Sequence, residues 1–321
     1  MGHAFDRTRR RPARGRHIAR SDRIGWGVLG AAWIAGRAVI PAIEASRNGR
    51  LVSIASRDTA RARELASHHA FARIANSYDA VLEDPEVDAV YIPLVNALHR
   101  EWSLRALAAG KHVLCEKPLG MNAAEAEELA GAARDAGLQL MEAFMYRFHP
   151  RARAFVESVR DPLYVHATFG FTMHDPSNYR MQASLGGGAL LDVGCYAVNA
   201  ARWILGEPVG VLATLTRDAS RNDGVDTTVS ALLRFAGGKT ASVWVSFESP
   251  EDQGLFVVER ERTQRLALPF SAWRDPDDPY QLMVESFADS VIENRAVAIP
   301  PEDSIANMRV LDRIRAAAEA I

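Results

Sequence analysis

Between Ile24 and about Ala143 the sequence repeats one pattern: a short apolar run, a helix-like segment, then another apolar run. The candidate strands are IGWGVLGA, RLVSIAS, VDAVYIPL, HVLCEKP and LQLMEAF. The segments between them, residues 33–47, TARARELASHH, REWSLRALAAG and AAEAEELAGAARDAG, read as helices. The strands are apolar throughout, so both of their faces must be covered. This alternation predicts a parallel sheet with helices on both sides.

After Pro150 the texture changes. YVHATFGFTM, VLATLTRD, TTVSALLRFAGGKTASVWVSFES and LFVVERERTQRLALPF read as strands, and FAGGKT supplies a Gly-Gly hairpin turn. Strands without intervening helices predict an antiparallel or mixed sheet. One helix, GGALLDVGCYAVNAARWILG, interrupts them, and another closes the chain near 303–321. A chain of 321 residues has room for two such units.

The first 23 residues carry eight Arg and two Asp, a net of +6, which leaves −8 for the rest of a chain whose net charge is −2. Residues 1–23 are expected to be a disordered arm. They lack the apolar core of an export signal. The acidic body argues against a nucleic-acid-binding domain, and no apolar run approaches the roughly 20 residues of a membrane helix. The only cysteines, Cys115 and Cys195, form no CxxC pair, which fits a reducing cytoplasm. His68-His69 and the scattered histidines lack metal-ligand spacing, so a metal-free site is expected.

The literal G-x-G-x-x-G at Gly25–Gly30 lies inside the first strand, whereas a phosphate turn must follow it. The better register is Gly30-Ala31-Ala32-Trp33-Ile34-Ala35, where Gly30 makes the turn and the following helix offers N–H groups to a pyrophosphate. The second strand ends in Ser56-Arg57 rather than in an acid. A hydroxyl and a guanidinium suit a 2′-phosphate, with Arg61 one helical turn on, so NADP is favoured over NAD. The alternative is that Ser56 and Arg57 only cap the helix and face solvent.

Lysine is rare here: only Lys111, Lys117 and Lys239 occur among 38 basic residues. Lys117 ends a strand, as Pro93 and Asn96 follow another, at the edge where open α/β sheets bind ligands. Its ammonium can stabilise a developing alkoxide; equally, it can be a solvated residue paired with Glu116. In GGGALLDVGCY, Asp192 and Tyr196 stand four apart, on one helical face. Tyr196 can transfer a proton and Asp192 can orient it, or they can be a cap and a packed ring.

Together, Gly30–Ala35, YIPLVNALH, AGKHVLCEKPLG, MEAFMYRFHP and GGGALLDVGCYAVNAARWILG resemble the Gfo/Idh/MocA family of NAD(P)-dependent sugar oxidoreductases. The resemblance runs from about Ile24 to the C-terminal helix, and MEAFMYRFHP leans towards its D-xylose and dihydrodiol dehydrogenase branch. It implies an α/β chain with a Rossmann domain over 24–147. A C-terminal α/β domain over 148–321 follows, with a large, open, mostly antiparallel sheet used for substrate binding and for homodimer or homotetramer formation. It implies hydride transfer between nicotinamide and a carbon of a sugar-like substrate. Tyr196 would move the hydroxyl proton, Lys117 would hold the same oxygen and support a phenolate, and Asp192 would bind a second hydroxyl or position the pair. It places Gly30, Ala32, Trp33, Ile34, Ala35, Pro93, Leu94, Asn96, His99 and Glu116 at the cofactor, and Arg147, Asn178 and Arg180 at the substrate. Two alternatives remain: a ketoreductase acting on nucleotide-linked sugars, and a dinucleotide-binding regulator without chemistry. The chain departs from the family's pattern in its Arg-rich arm and in the turn Glu259–Gln264, where relatives often carry Gly.

Overall fold

In a computed structural model, residues 22–217, 224–272, 274 and 276–319 are described. Apart from Asp22 and Arg23, the Arg-rich arm lies outside them.

The first sheet is parallel and six-stranded, in the order β3-β2-β1-β4-β5-β6. Its strands are β1 (Ile24–Leu29), β2 (Gly49–Ala55), β3 (Arg73–Ile74), β4 (Ala89–Ile92), β5 (His112–Cys115) and β6 (Leu140–Glu142). β1 is buried along its whole length, as an apolar central strand must be. Its glycines serve packing: a Cβ on Gly25 would stand 2.0 Å from the Glu86 carbonyl oxygen. Gly30, just past the strand, has φ +119°, a conformation open to glycine alone among common residues. The turn register expected from the sequence is therefore the one adopted.

The helix after Gly30 is wound unevenly. Ala35–Val39 form a π turn, with Ile40 N–H reaching Ala35 O, before α1 (Ile40–Ala45). Such turns concentrate at functional sites. The layers are completed by α2 (Thr59–His68), α3 (Tyr78–Glu83), α4 (His99–Ala108) and α5 (Ala123–Ala136). β3 and α3 were not expected. β3 has two exposed residues and no apolar signal.

α6 (Pro150–Ser158), also not expected, leads to the second sheet. That sheet has the order β12-β11-β7-β10-β9-β8. Its strands are β7 (Pro162–Thr172), β8 (Gly210–Arg217), β9 (Asp226–Arg234), β10 (Thr240–Ser246), β11 (Glu248–Glu259) and β12 (Thr263–Ala267). β7 and β10 run parallel, and every other pairing is antiparallel. The expected Gly-Gly turn is longer than two residues: Phe235 and Lys239 close it, with Gly237 and Gly238 at φ +72° and +77°.

One face of this sheet is covered by α7 (Cys195–Leu205) and α9 (Pro301–Glu319). On the other face Leu212, Leu232, Ser242, His166 and Phe256 form a row across five strands. α8 (Pro279–Ile292) returns to the first sheet, where Phe287 packs on Trp26 at 5.4 Å and Asn48 donates to Asp289. Among the described residues no helix is long and apolar enough to cross a membrane.

Candidate active site

A cleft of about 990 Å³ runs along the carboxyl ends of the first sheet and under the second. Open parallel sheets bind ligands at this edge, where strand order reverses between β1 and β4.

β5 stops at Cys115, and Glu116 and Lys117 follow into the cleft before a cis bond to Pro118. Lys117 Nζ donates to Asp192 O at 2.7 Å and to Asp192 Oδ1 at 2.9 Å. Arg180 Nε donates to the other oxygen, Oδ2, at 2.7 Å. One buried carboxylate thus holds two cations. Burial would raise its pKa, but the charges of Lys117 and Arg180 outweigh burial and bring it to about 2. Burial likewise opposes the Lys117 ammonium, and Asp192 more than compensates, so its pKa is raised.

Asp192 lies in a second π turn, Leu190–Gly194, directly before α7. Three glycines allow this approach. Gly186, at φ +82°, lies so close to the chain after β4 that a Cβ would stand 2.6 Å from that of Asn96. Asn96 Nδ2 donates to Gly186 O at 2.8 Å.

Tyr196, in the first turn of α7, lines the cleft within an aromatic cluster of Phe144, Tyr146, Phe169 and Phe270, with ring centroids 5.3–5.8 Å away. Lys117 Nζ faces its ring at 5.1 Å from the centroid. Burial, with Tyr280 and Glu116 nearby, pushes the Tyr196 pKa well above its usual 10. The Lys117 ammonium is hydrogen-bonded to Asp192, and burial disfavours the phenolate expected for Tyr196.

At the other end, Gly30, Ala32, Trp33 and Ile34 line the cleft, with Trp33 74% exposed. Ser56, Arg57 and Arg61 line it at the end of β2. Asp58, the nearest acid, is occupied in capping α2 through Ala60 and Arg61 N–H. Arg37 and Arg274, which the sequence reading missed, join them, and Arg274 Nη2 donates to Arg37 O at 3.4 Å. Arg37 stands two helical turns past Gly30, a spacing that could have marked it. A positive-φ turn, a helix start and a basic strand end fit a dinucleotide with an added phosphate.

Pro93, Leu94, Asn96 and Glu116 line the cleft, as do Asn178 and Arg180. Three expected site residues do not. Ala35 is wholly buried under the loop. His99 is also wholly buried, its ring nitrogens 2.8 Å from Pro118 O and 2.9 Å from Leu94 O, so it braces the two turns from below. Arg147 is drawn away to Asp303 and Asn199 and stacks on Trp203 at 4.3 Å. Among the described residues no group of His, Cys, Asp and Glu is placed to hold a metal.

Glu142, at the end of β6, accepts the Leu119 N–H at 2.9 Å and so fixes the turn that carries Lys117. Burial pushes its pKa from 4.5 up to about 7, against the pull of Ser304 and Leu119. A carboxyl with a raised folded pKa loses stability as pH rises from the unfolded value to the folded one. The loss amounts to about 3 kcal/mol above pH 7. Glu142→Gln should therefore gain stability over the parent at pH 8 relative to pH 5 in paired urea melts. Parallel profiles would refute this.

Residues 24–144 match the family model described as "Oxidoreductase family, NAD-binding Rossmann fold", and residues 152–264 match the GFO/IDH/MocA C-terminal domain. The chain is 40% identical to D-xylose 1-dehydrogenase (NADP(+)) 2 of Haloferax volcanii over 318 residues, covering 92% of this chain and 97% of that protein. A solved aldose-aldose oxidoreductase from Caulobacter crescentus, complexed with glycerol, superposes with TM-score 0.87 at 26% identity, covering 93% of this chain and 98% of the other. A 3-ketoreductase from Actinomadura kijaniata, in complex with NADP and TDP-benzene, does so with TM-score 0.82 at 31% identity, covering 92% and 98%.

Proposed function

The chain belongs to the GFO/IDH/MocA family of oxidoreductases, and on that premise we propose that it is an NADP-preferring enzyme transferring hydride to or from a carbon of a sugar. The observation that carries this reading is the meeting of Lys117, Asp192 and Tyr196 in the cleft that begins at the Gly30 turn. The similarity to an NADP-dependent D-xylose dehydrogenase favours an aldose as substrate. The two buried free cysteines fit a cytoplasmic enzyme. The open face of the second sheet, with Leu212 and Leu232 exposed, supports self-association.

Gly30–Ile34 would hold the pyrophosphate and Arg57 and Arg61 the 2′-phosphate. Bound nicotinamide supplies hydride in reduction and accepts it in oxidation. Tyr196 donates its phenolic proton to the carbonyl oxygen in reduction and takes it back in oxidation. An ammonium has three N–H donors. Lys117 spends two on Asp192 and turns the third to the same oxygen, stabilising the alkoxide. Asp192 keeps Lys117 charged and fixed.

Nicotinamide absorbance with free aldoses, using NADP and NAD in parallel, tests the reading. Replacing Arg57 and Arg61 together by Ala should lower kcat/KM for NADP by about 10–100-fold and leave that for NAD unchanged. A charge-assisted contact of about 1.5–3 kcal/mol sets this scale. Equal losses with both cofactors would remove the 2′-phosphate assignment.

A further inference from the structure

β11 enters the second sheet irregularly. Glu248 pairs with Thr172, but Asp252 pairs with Gly170, so β11 spends four steps against two of β7. The surplus residues form a bulge, a device that re-aims side chains next to active sites. The bulge is held in place: Ser249 O accepts from Thr172 Oγ1 at 2.8 Å. It also leans on Gly170, where a Cβ would stand 2.2 Å from Ser249 Oγ. Its consequence is that Glu251 and Gln253 both line the cleft. Gln253 pairs with Phe169, which stacks on Phe270 at 5.5 Å and 10° beside Tyr196.

The charges at this end are unevenly committed. Lys117 and Arg180 are both bonded to Asp192. Glu251 is exposed, and among the described residues its one polar contact is Gln253 Nε2 at 3.4 Å. Gln253 Oε1 is held in turn by Ser271 Oγ at 3.2 Å. The cations not tied to Asp192, Arg37, Arg57, Arg61 and Arg274, cluster about the phosphate turn and the end of β2, where the cofactor is proposed to bind. A carboxylate in the cleft that Phe169 and Phe270 also line can accept hydrogen bonds from a ligand's hydroxyls while the rings cover its C–H face. The same carboxylate repels a diphosphate.

We propose that Glu251, with Gln253 beside it, selects an uncharged polyhydroxylated substrate, a free sugar, and turns away sugars carrying a nucleoside diphosphate. This rests on the oxidoreductase reading above and narrows its substrate.

The test uses the full chain and two variants. Glu251→Gln should raise KM for the free aldose about 10–100-fold with kcat nearly unchanged, the scale of losing a charge-assisted hydrogen bond. Calorimetry with thymidine diphosphate on the NADPH-loaded protein reads the repulsion without turnover. Glu251→Lys should bind it at least tenfold more tightly than the parent. An unchanged KM in Glu251→Gln, or equal thymidine diphosphate affinity in the parent and Glu251→Lys, overturns the proposal. Failure of the parent on free aldoses together with turnover of a thymidine-diphosphate-linked keto sugar also overturns the proposal; failure on both classes with either nicotinamide overturns the oxidoreductase reading instead, and the calorimetric comparison still decides the role of Glu251.

Discussion

Tyr196→Phe should lower turnover by about 10²–10⁴-fold and leave both NADPH affinity and melting temperature unchanged. That range is what a positioned proton donor contributes. The substitution removes one oxygen and keeps the ring. The ring's packing against Phe144, Phe169 and Phe270 is what Tyr196 gives the fold, so stability has little to lose. The phenol titrates well above 10, because burial and the neighbours Tyr280 and Glu116 disfavour a phenolate. The proton is thus held on Tyr196, available to the carbonyl oxygen as negative charge develops there in reduction. Oxidation must work against that pKa, so wild-type oxidation should speed up with rising pH more steeply than reduction. Steady-state rates in both directions, with fluorescence titration of NADPH and a thermal melt, check this. Turnover within a few-fold of the parent would remove Tyr196 from the chemistry.

The sequence carried the first half of the fold because its strands are buried on both faces and so are written as unbroken apolar runs. β1 and β4 are fully buried. The signal fails where burial fails: β3 is two exposed residues. α8 was legible and went unread: Tyr280, Met283, Val284, Phe287 and Val291, buried against the first sheet, recur at helical spacing, with Gln281, Glu285 and Asp289 one turn apart on the other side.

The site divides the same way. Lys117, Asp192 and Tyr196 belong to short local motifs, and local spacing survives folding. Arg147 was misplaced because its partner, Asp303, lies 156 positions away. Glu251 and Gln253 reach the cleft only because of a bulge, and Phe270 follows the last strand of the second sheet. Strand register and bulges are tertiary facts that no local window of sequence encodes.

Asp192→Asn should be costly in two separable ways. The side chain keeps its shape but loses the charge that holds Lys117 and Arg180. Removing one partner of a buried ion pair costs about 3–5 kcal/mol. The lower figure is expected here, because the Arg180 side chain is 30% exposed and can rehydrate. The loss should depend on pH with a definite sign. The Asp192 pKa falls from 3.8 to about 2 on folding, so its stabilisation is complete above the unfolded value and lost as pH drops towards 2. Parent and variant should accordingly differ most above pH 5 and converge in acid.

The second effect is catalytic. Without the carboxylate, the largest support of the Lys117 charge is gone, while burial and the charge of Arg180 still lower its pKa. The ammonium that stabilises the alkoxide would then be lost at high pH. The kcat profile of the variant should gain an alkaline limb, on top of a drop at neutral pH from the misplaced Nζ. Urea melts from pH 3 to 8 and a kcat profile over the alkaline range measure the two effects independently. A variant as stable as the parent at pH 7, with an unshifted alkaline limb, would mean that Asp192 is not what keeps Lys117 charged.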